Sequence, residues 1–201
     1  MIPIQYLDAT PELTSDVSTG TWAKLSWHEQ FTTPGQPDAE PTPGTAFAMA
    51  HDEDSLFFAV KCSAHAGQSQ EALARENVQI QFDPERSGVR SGIFVCYPDG
   101  RISSQLELEA DGHEPWLGEV GYTSRLQSGE WSLVLKVPLS QFIHSESGLR
   151  RIHFNVSRLP QMAPDDWLCY PALETVQFWR PTNAIGEAEF EAAERLQAFA
   201  W

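Results

Sequence analysis

The segment Asn77–Phe82, NVQIQF, alternates apolar and amide side chains with a period of two. Val78, Ile80 and Phe82 share one side, and Gln79 and Gln81 the other. A helix would scatter these residues around its circumference, whereas a strand lines each set along one face. The same pattern recurs along the chain. Thr45–Ala50 and Ser55–Ser63 flank the turn His51-Asp52-Glu53-Asp54 and read as a hairpin. In the second run Leu56, Phe58, Val60 and Cys62 face one way, and Phe57, Ala59 and Lys61 the other. Ser91–Tyr97 and Arg101–Glu109 flank Pro98-Asp99-Gly100, a strong turn signal. Ile102, Leu106 and Leu108 lie on one face of the latter run, opposite Arg101, Ser103, Gln105, Glu107 and Glu109.

Glu119–Leu126 and Trp131–Val137 form a further hairpin around Ser128-Gly129, with Trp131, Leu133, Leu135 and Val137 pointing inward. Arg151–Arg158 sets Ile152, Phe154 and Val156 against His153, Asn155 and Ser157, and Ile185–Phe190 reads as a last strand. Roughly nine or ten strands at this spacing predict an all-β β-sandwich of two antiparallel sheets, immunoglobulin-like or jelly-roll-like. Helix is scarce. Pro138–Ile143 reads as one turn after a strand, and Glu191–Trp201 as a short C-terminal helix. The Pro-rich stretches Pro34–Pro43 and Gln161–Pro164 read as loops, so residues 1–201 are expected to form a single domain.

Charge narrows the partners. The chain carries 28 Asp+Glu against 13 Lys+Arg, a formal net charge of -15. Such a surface repels phosphate backbones and anionic lipid, which argues against nucleic-acid and membrane binding. A neutral or cationic ligand stays compatible. No apolar run approaches the ~20 residues of a membrane helix. The N-terminal MIPIQYLDATPELTSDV lacks the basic and apolar regions of a signal peptide. Cys62, Cys96 and Cys169 are widely spaced with no CxxC pair; Cys62 and Cys96 lie in apolar runs and read as buried thiols.

Catalytic signatures are absent: there is no GxSxG elbow, Walker loop, HExxH or dinucleotide-binding glycine pattern. The carboxylate pairs Asp52/Asp54 and Asp165/Asp166 fall in turns and read as solvated loop acids. The chain is therefore expected not to be an enzyme. Asp52 and Asp54 are also the candidate oxygen ligands for a structural Ca²⁺, with Asp83-Pro84-Glu85 as a second acidic loop. The sequon Asn155-Val156-Ser157 lies inside a predicted strand. A polar face emerges from the outward sets, with Gln79, Gln81, Arg101, Ser103, Gln105, His153, Asn155 and Ser157 on it if their strands are neighbours. Sugars need such hydrogen-bonding groups together with an aromatic platform for the C–H side of the ring, which Trp179 in Gln177–Pro181 would supply. An ordinary wet sheet face with a core Trp is the plainer reading of the same residues.

The chain resembles the family 9 carbohydrate-binding modules from about Thr21 to Phe190. The landmarks are Trp22, Thr45–Asp52 leading into SLFFAVKC, Glu76–Pro84 (ENVQIQFDP), Phe94–Gly100, Trp131–Phe142, Phe154–Arg158 and Trp179–Phe190. The resemblance implies a β-sandwich, often with structural calcium, that binds sugar between two tryptophans ringed by polar residues; it also suggests an extracytoplasmic protein. Trp179 matches the second tryptophan, whereas the first falls near Leu73, the family glutamate at Gln79 and the sugar-contacting arginine near Val95. The implied function is non-catalytic binding of an oligo- or polysaccharide by Trp179, Arg180, Gln79, Gln81, Asn155 and Arg158. Two other readings stand beside it. One is a haem-binding electron-transfer sandwich with axial ligands drawn from Met49, Met162, His51 and His153; the other is a protein-interaction scaffold.

Overall fold

The computed structural model describes residues 1–36, 38–84, 86, 90–108, 112–141, 151–159, 167–173 and 185–191. Its strands are β1 (Ile2–Tyr6), β2 (Thr45–His51), β3 (Ser55–Ser63), β4 (Asn77–Asp83), β5 (Arg90–Cys96) and β6 (Ile102–Leu108). They continue with β7 (Gly112–Pro115), β8 (Gly121–Gln127), β9 (Glu130–Pro138), β10 (Arg151–Leu159), β11 (Leu168–Tyr170) and β12 (Gly186–Phe190). Helix among the described residues is confined to α1 (Gln70–Ala74) and single 3₁₀ turns at Trp22–Lys24 and Leu139–Gln141. The residues 192–201 of the expected C-terminal helix lie outside those described.

The predicted hairpins form, and local chemistry sets their turns. Between β2 and β3, Asp52 Oδ1 accepts from the backbone N–H of Asp54 at 2.9 Å and of Ser55 at 2.7 Å, closing an Asx-type turn. Gly100 (φ +88°) and Gly129 (φ +78°) supply the left-handed residues of the β5–β6 and β8–β9 turns. A short helix is started by Ser69, whose Oγ accepts from Ala72 N–H at 3.1 Å.

The strands follow one continuous path, β7-β6-β5-β4-β10-β12-β1-β2-β3-β9-β8, with β11 off it on β10. The strands expected in two antiparallel sheets thus share one path. β1 pairs in parallel with β12 on one side and β2 on the other, joining what would otherwise be two sheets. Hydropathy did not announce β1 as a strand, and its neighbours are far apart in sequence. The path curls so that its two halves face each other. Phe58 of β3 stacks on Phe82 of β4 at 5.9 Å, and Phe47 of β2 meets Phe154 of β10 at 5.6 Å. The alternating inward residues of both halves build one core that includes Val78, Ile80, Phe94, Leu133, Leu135 and Val156. Burying them is the main stabilising term.

β2, β3 and β9 are buried on both faces. On their outer side Ala48, Ala50, Phe57, Ala59 and Val134 pack against Val17, Trp22 and Leu25 of the segment between β1 and β2. Their nearly unbroken apolar runs (AFAMA, LFFAV, LVLKV) are the sequence signature of a strand covered twice. All three cysteines are free and buried. Burial pushes the Cys62 thiol up to about 12 and that of Cys169 to about 11.

Candidate functional site

Strand register brings much of the predicted polar face together. Gln79 of β4 stands opposite Ser157 of β10 and Val95 of β5; Gln81 stands opposite Asn155 and Ile93. The same rows continue on β6 through Ser103 and Gln105. The period of two in β4 and β10 makes this convergence necessary once the two strands pair. His153 is on this face as well, with Nε2 3.8 Å from Glu187. Arg101, just before β6, is tied to Asp99 at 2.7 Å and lies over the Tyr97 ring.

The face is not uniformly open. Gln81, Asn155 and Ser157 are buried, whereas Gln79 is half-buried and Ser103 exposed. The buried amides are spent on their neighbours. Gln81 Nε2 donates to Ser91 Oγ at 2.8 Å, Ser157 Oγ to Asn155 Oδ1 at 2.6 Å, and Asn155 Nδ2 to the Pro171 carbonyl at 3.3 Å. Gln81 and Asn155 therefore stiffen the face, while Gln79, Ser103 and Gln105, whose Nε2 donates to Glu107 at 2.5 Å, are its less buried groups. Trp179 and Arg180 lie outside the described residues.

Arg158 requires a correction. The expectation placed it among the sugar-contacting residues, but its side chain is 0% exposed and points between the two halves. Parity explains this: Arg158 follows Phe154 and Val156 on the inward side of β10. Its Nε and Nη2 donate to the two carboxylate oxygens of Glu76 at 2.9 and 3.0 Å. Nη1 reaches the Gly44 carbonyl and Thr45 Oγ1, and Nη2 also reaches the Ser63 carbonyl. Glu76 in turn accepts from Trp131 Nε1 at 3.2 Å and from Gln68 Nε2 at 2.6 Å. A desolvated bidentate pair so fully hydrogen-bonded ties β10 to the ends of β2 and β3. Sequence reasoning does not single out Glu76; its faint signal is an acid immediately before an apolar strand.

Leu73, at the position of the family's first tryptophan, is on α1 with its side chain in the main core, so it faces away from any ligand. The calcium expectation at Asp52 and Asp54 does not fit the donors present. Asp52 Oδ1 is held by the turn described above and Oδ2 accepts from Thr10 Oγ1 at 2.6 Å. Among the described residues no group of three or more His, Cys, Asp and Glu is placed to hold a metal ion. Nor do the suggested haem ligands gather. Met49 is in the core, while both ring nitrogens of His51 sit beside backbone carbonyls, of Asp52 at 3.0 Å and Glu191 at 2.8 Å. His153 is on the outer face, and Met162 lies outside the described residues.

No family model matches the chain, and no curated protein matches it significantly. Solved structures do. A Bacteroides uniformis protein inferred to bind carbohydrate superposes with a TM-score of 0.64 at 17% identity, covering 94% of this chain and 98% of its own. A family 9 carbohydrate-binding module of Caldicellulosiruptor kristjanssonii in complex with glucose gives 0.60 at 11% identity, covering 96% of each chain. The cellotriose complex of such a module gives 0.56 at 11% identity, covering 96% of this chain and 94% of that one. The chain has the fold of the family 9 carbohydrate-binding modules.

Proposed function

We propose that this chain is a non-catalytic carbohydrate-binding protein in which the two halves of the curled sheet serve as the layers of a sandwich. The observation that carries this is the superposition, over nearly the whole chain, on modules that hold glucose and cellotriose. The face of β4, β5, β6 and β10 supports it. There a frame of buried amides is fixed by internal hydrogen bonds, and Gln79, Ser103 and Gln105 are left at its accessible margin. Such pre-ordering reduces the entropic cost of binding a flexible polyol. Trp179 is the platform in this reading, with Gln79 replacing a family glutamate and Arg180 beside Trp179 in sequence.

Tryptophan-fluorescence titration with glucose, cellobiose and cellotriose tests the proposal. The expected result is saturable quenching that Trp179→Ala weakens by at least about tenfold, as loss of an aromatic platform implies. A panel of neutral sugars without response would overturn it. A Trp179→Ala variant that loses its thermal transition instead would remove Trp179 from the site.

A further inference from the structure

The second candidate site is on the opposite side of the molecule. Over the outer face of β3, β8 and β9, beside the segment that covers them, is a cavity of about 350 Å³. It is lined by Trp27, Lys61, Asp16, Arg125, Gln127 and Glu130, among others. The volume is at the small end of the range of about 300–1,000 Å³ found for small-molecule sites, and suits one sugar ring or two.

Three features select a ligand class. Among the lining residues the charges balance, with Asp16 and Glu130 against Lys61 and Arg125, and Glu29 stands just outside at 3.9 Å from Lys61, so a net charge on the ligand gains little here. Donors and acceptors alternate around the wall. Arg125 Nη1 is 3.3 Å from Asp16 Oδ2, and Gln127 Nε2 donates to Glu130. Asp16 is kept ionised by hydrogen bonds from Ser18, then by Arg125, which hold its carboxyl below the usual range. Each hydroxyl of a sugar both donates and accepts, so vicinal hydroxyls match such carboxylate–guanidinium and carboxylate–amide pairs. The third feature is the indole of Trp27. The Lys61 ammonium is 4.6 Å from its centroid, on a side chain 43% exposed. A flexible lysine can swing off the ring, leaving an apolar surface for the C–H side of a pyranose while its ammonium meets the hydroxyls.

We infer that this cavity is a second saccharide site, selective for small neutral sugars and independent of the face carrying Gln79. It takes its ligand class from its own lining and does not depend on the assignment of Trp179.

The test is a titration of the intact protein with glucose and cellobiose, with glucuronate and glucosamine as charged controls, followed by the indole N–H resonances in ¹⁵N-correlated NMR. The Trp27 indole is a local reporter, because its Nε1–H donates to the Trp22 carbonyl at 3.3 Å. A Trp27 resonance that shifts saturably with a neutral sugar, persists in Trp179→Ala and is lost in Gln127→Ala supports the inference. Gln127→Ala is used in place of Trp27→Ala because the latter would remove the reporter and Trp27 also packs on the outer core. Saturable sugar binding that leaves Trp27 unmoved and is insensitive to Gln127→Ala overturns the second site while the proposed function stands. Stronger response to either charged control overturns the selectivity. No binding of any sugar overturns both.

Discussion

Arg158 and Arg125 each face a carboxylate, and their surroundings separate what the two pairs do. Arg158 and Glu76 are both 0% exposed, and all three guanidinium nitrogens are engaged by protein groups. Arg125 is 49% exposed beside Asp16 at 38%, at the wall of a cavity. The first pair has no hydrogen-bonding capacity left for a ligand, and removing one partner strands a desolvated charge. The second is screened by water, contributes little to stability and keeps donors free for exchange. An arginine on a strand is thus structural or ligand-facing according to the side of the strand it occupies.

The largest effect should come from breaking the buried pair. Arg158→Met is expected to cost about 3–5 kcal/mol in urea unfolding, with part recovered when Glu76→Gln is added, because the stranded charge is then gone. A single-variant loss below ~1 kcal/mol would mean that water reaches Glu76. A smaller disturbance of the same β10 layer is Gly186→Ala. A Cβ at this position would come within 2.8 Å of both the Phe154 ring and Pro171, so overpacking of about 1–3 kcal/mol is expected. The exposed pair should respond least. Arg125→Ala is expected to change stability by no more than about 0.5 kcal/mol. A loss near that of Arg158→Met would erase the distinction between the two pairs.

Much of the architecture was legible in the sequence. The period-two runs located β2 to β6, β8 to β10 and β12 within a residue or two, because alternation survives wherever one side is buried. The short strands β1, β7 and β11 were not legible. β1 (IPIQY) has a proline as its second residue and few residues to show a period, and its pairing depends on partners 40 and more residues away. The polar face was legible as a set, since parity and pairing together place Gln79, Gln81, Asn155 and Ser157 side by side. Which of them water can reach was not. The cavity around Trp27 was invisible for a related reason: Lys61, Arg125 and Glu130 come from three strands, and Asp16 and Trp27 from an irregular segment.

The sequence by itself determined the all-β class, the hairpin turns at Asp52, Gly100 and Gly129, and the inward sets of the long strands. These depend on steric and hydropathic preferences acting over a few neighbouring residues. Tertiary structure alone decided that β1 joins the halves through two parallel pairings, that Glu76 and Arg158 meet between them, and that a loop roofs β3 and β9 to leave a cavity. Those outcomes depend on which distant segments exclude water from one another, and local sequence carries no record of that choice.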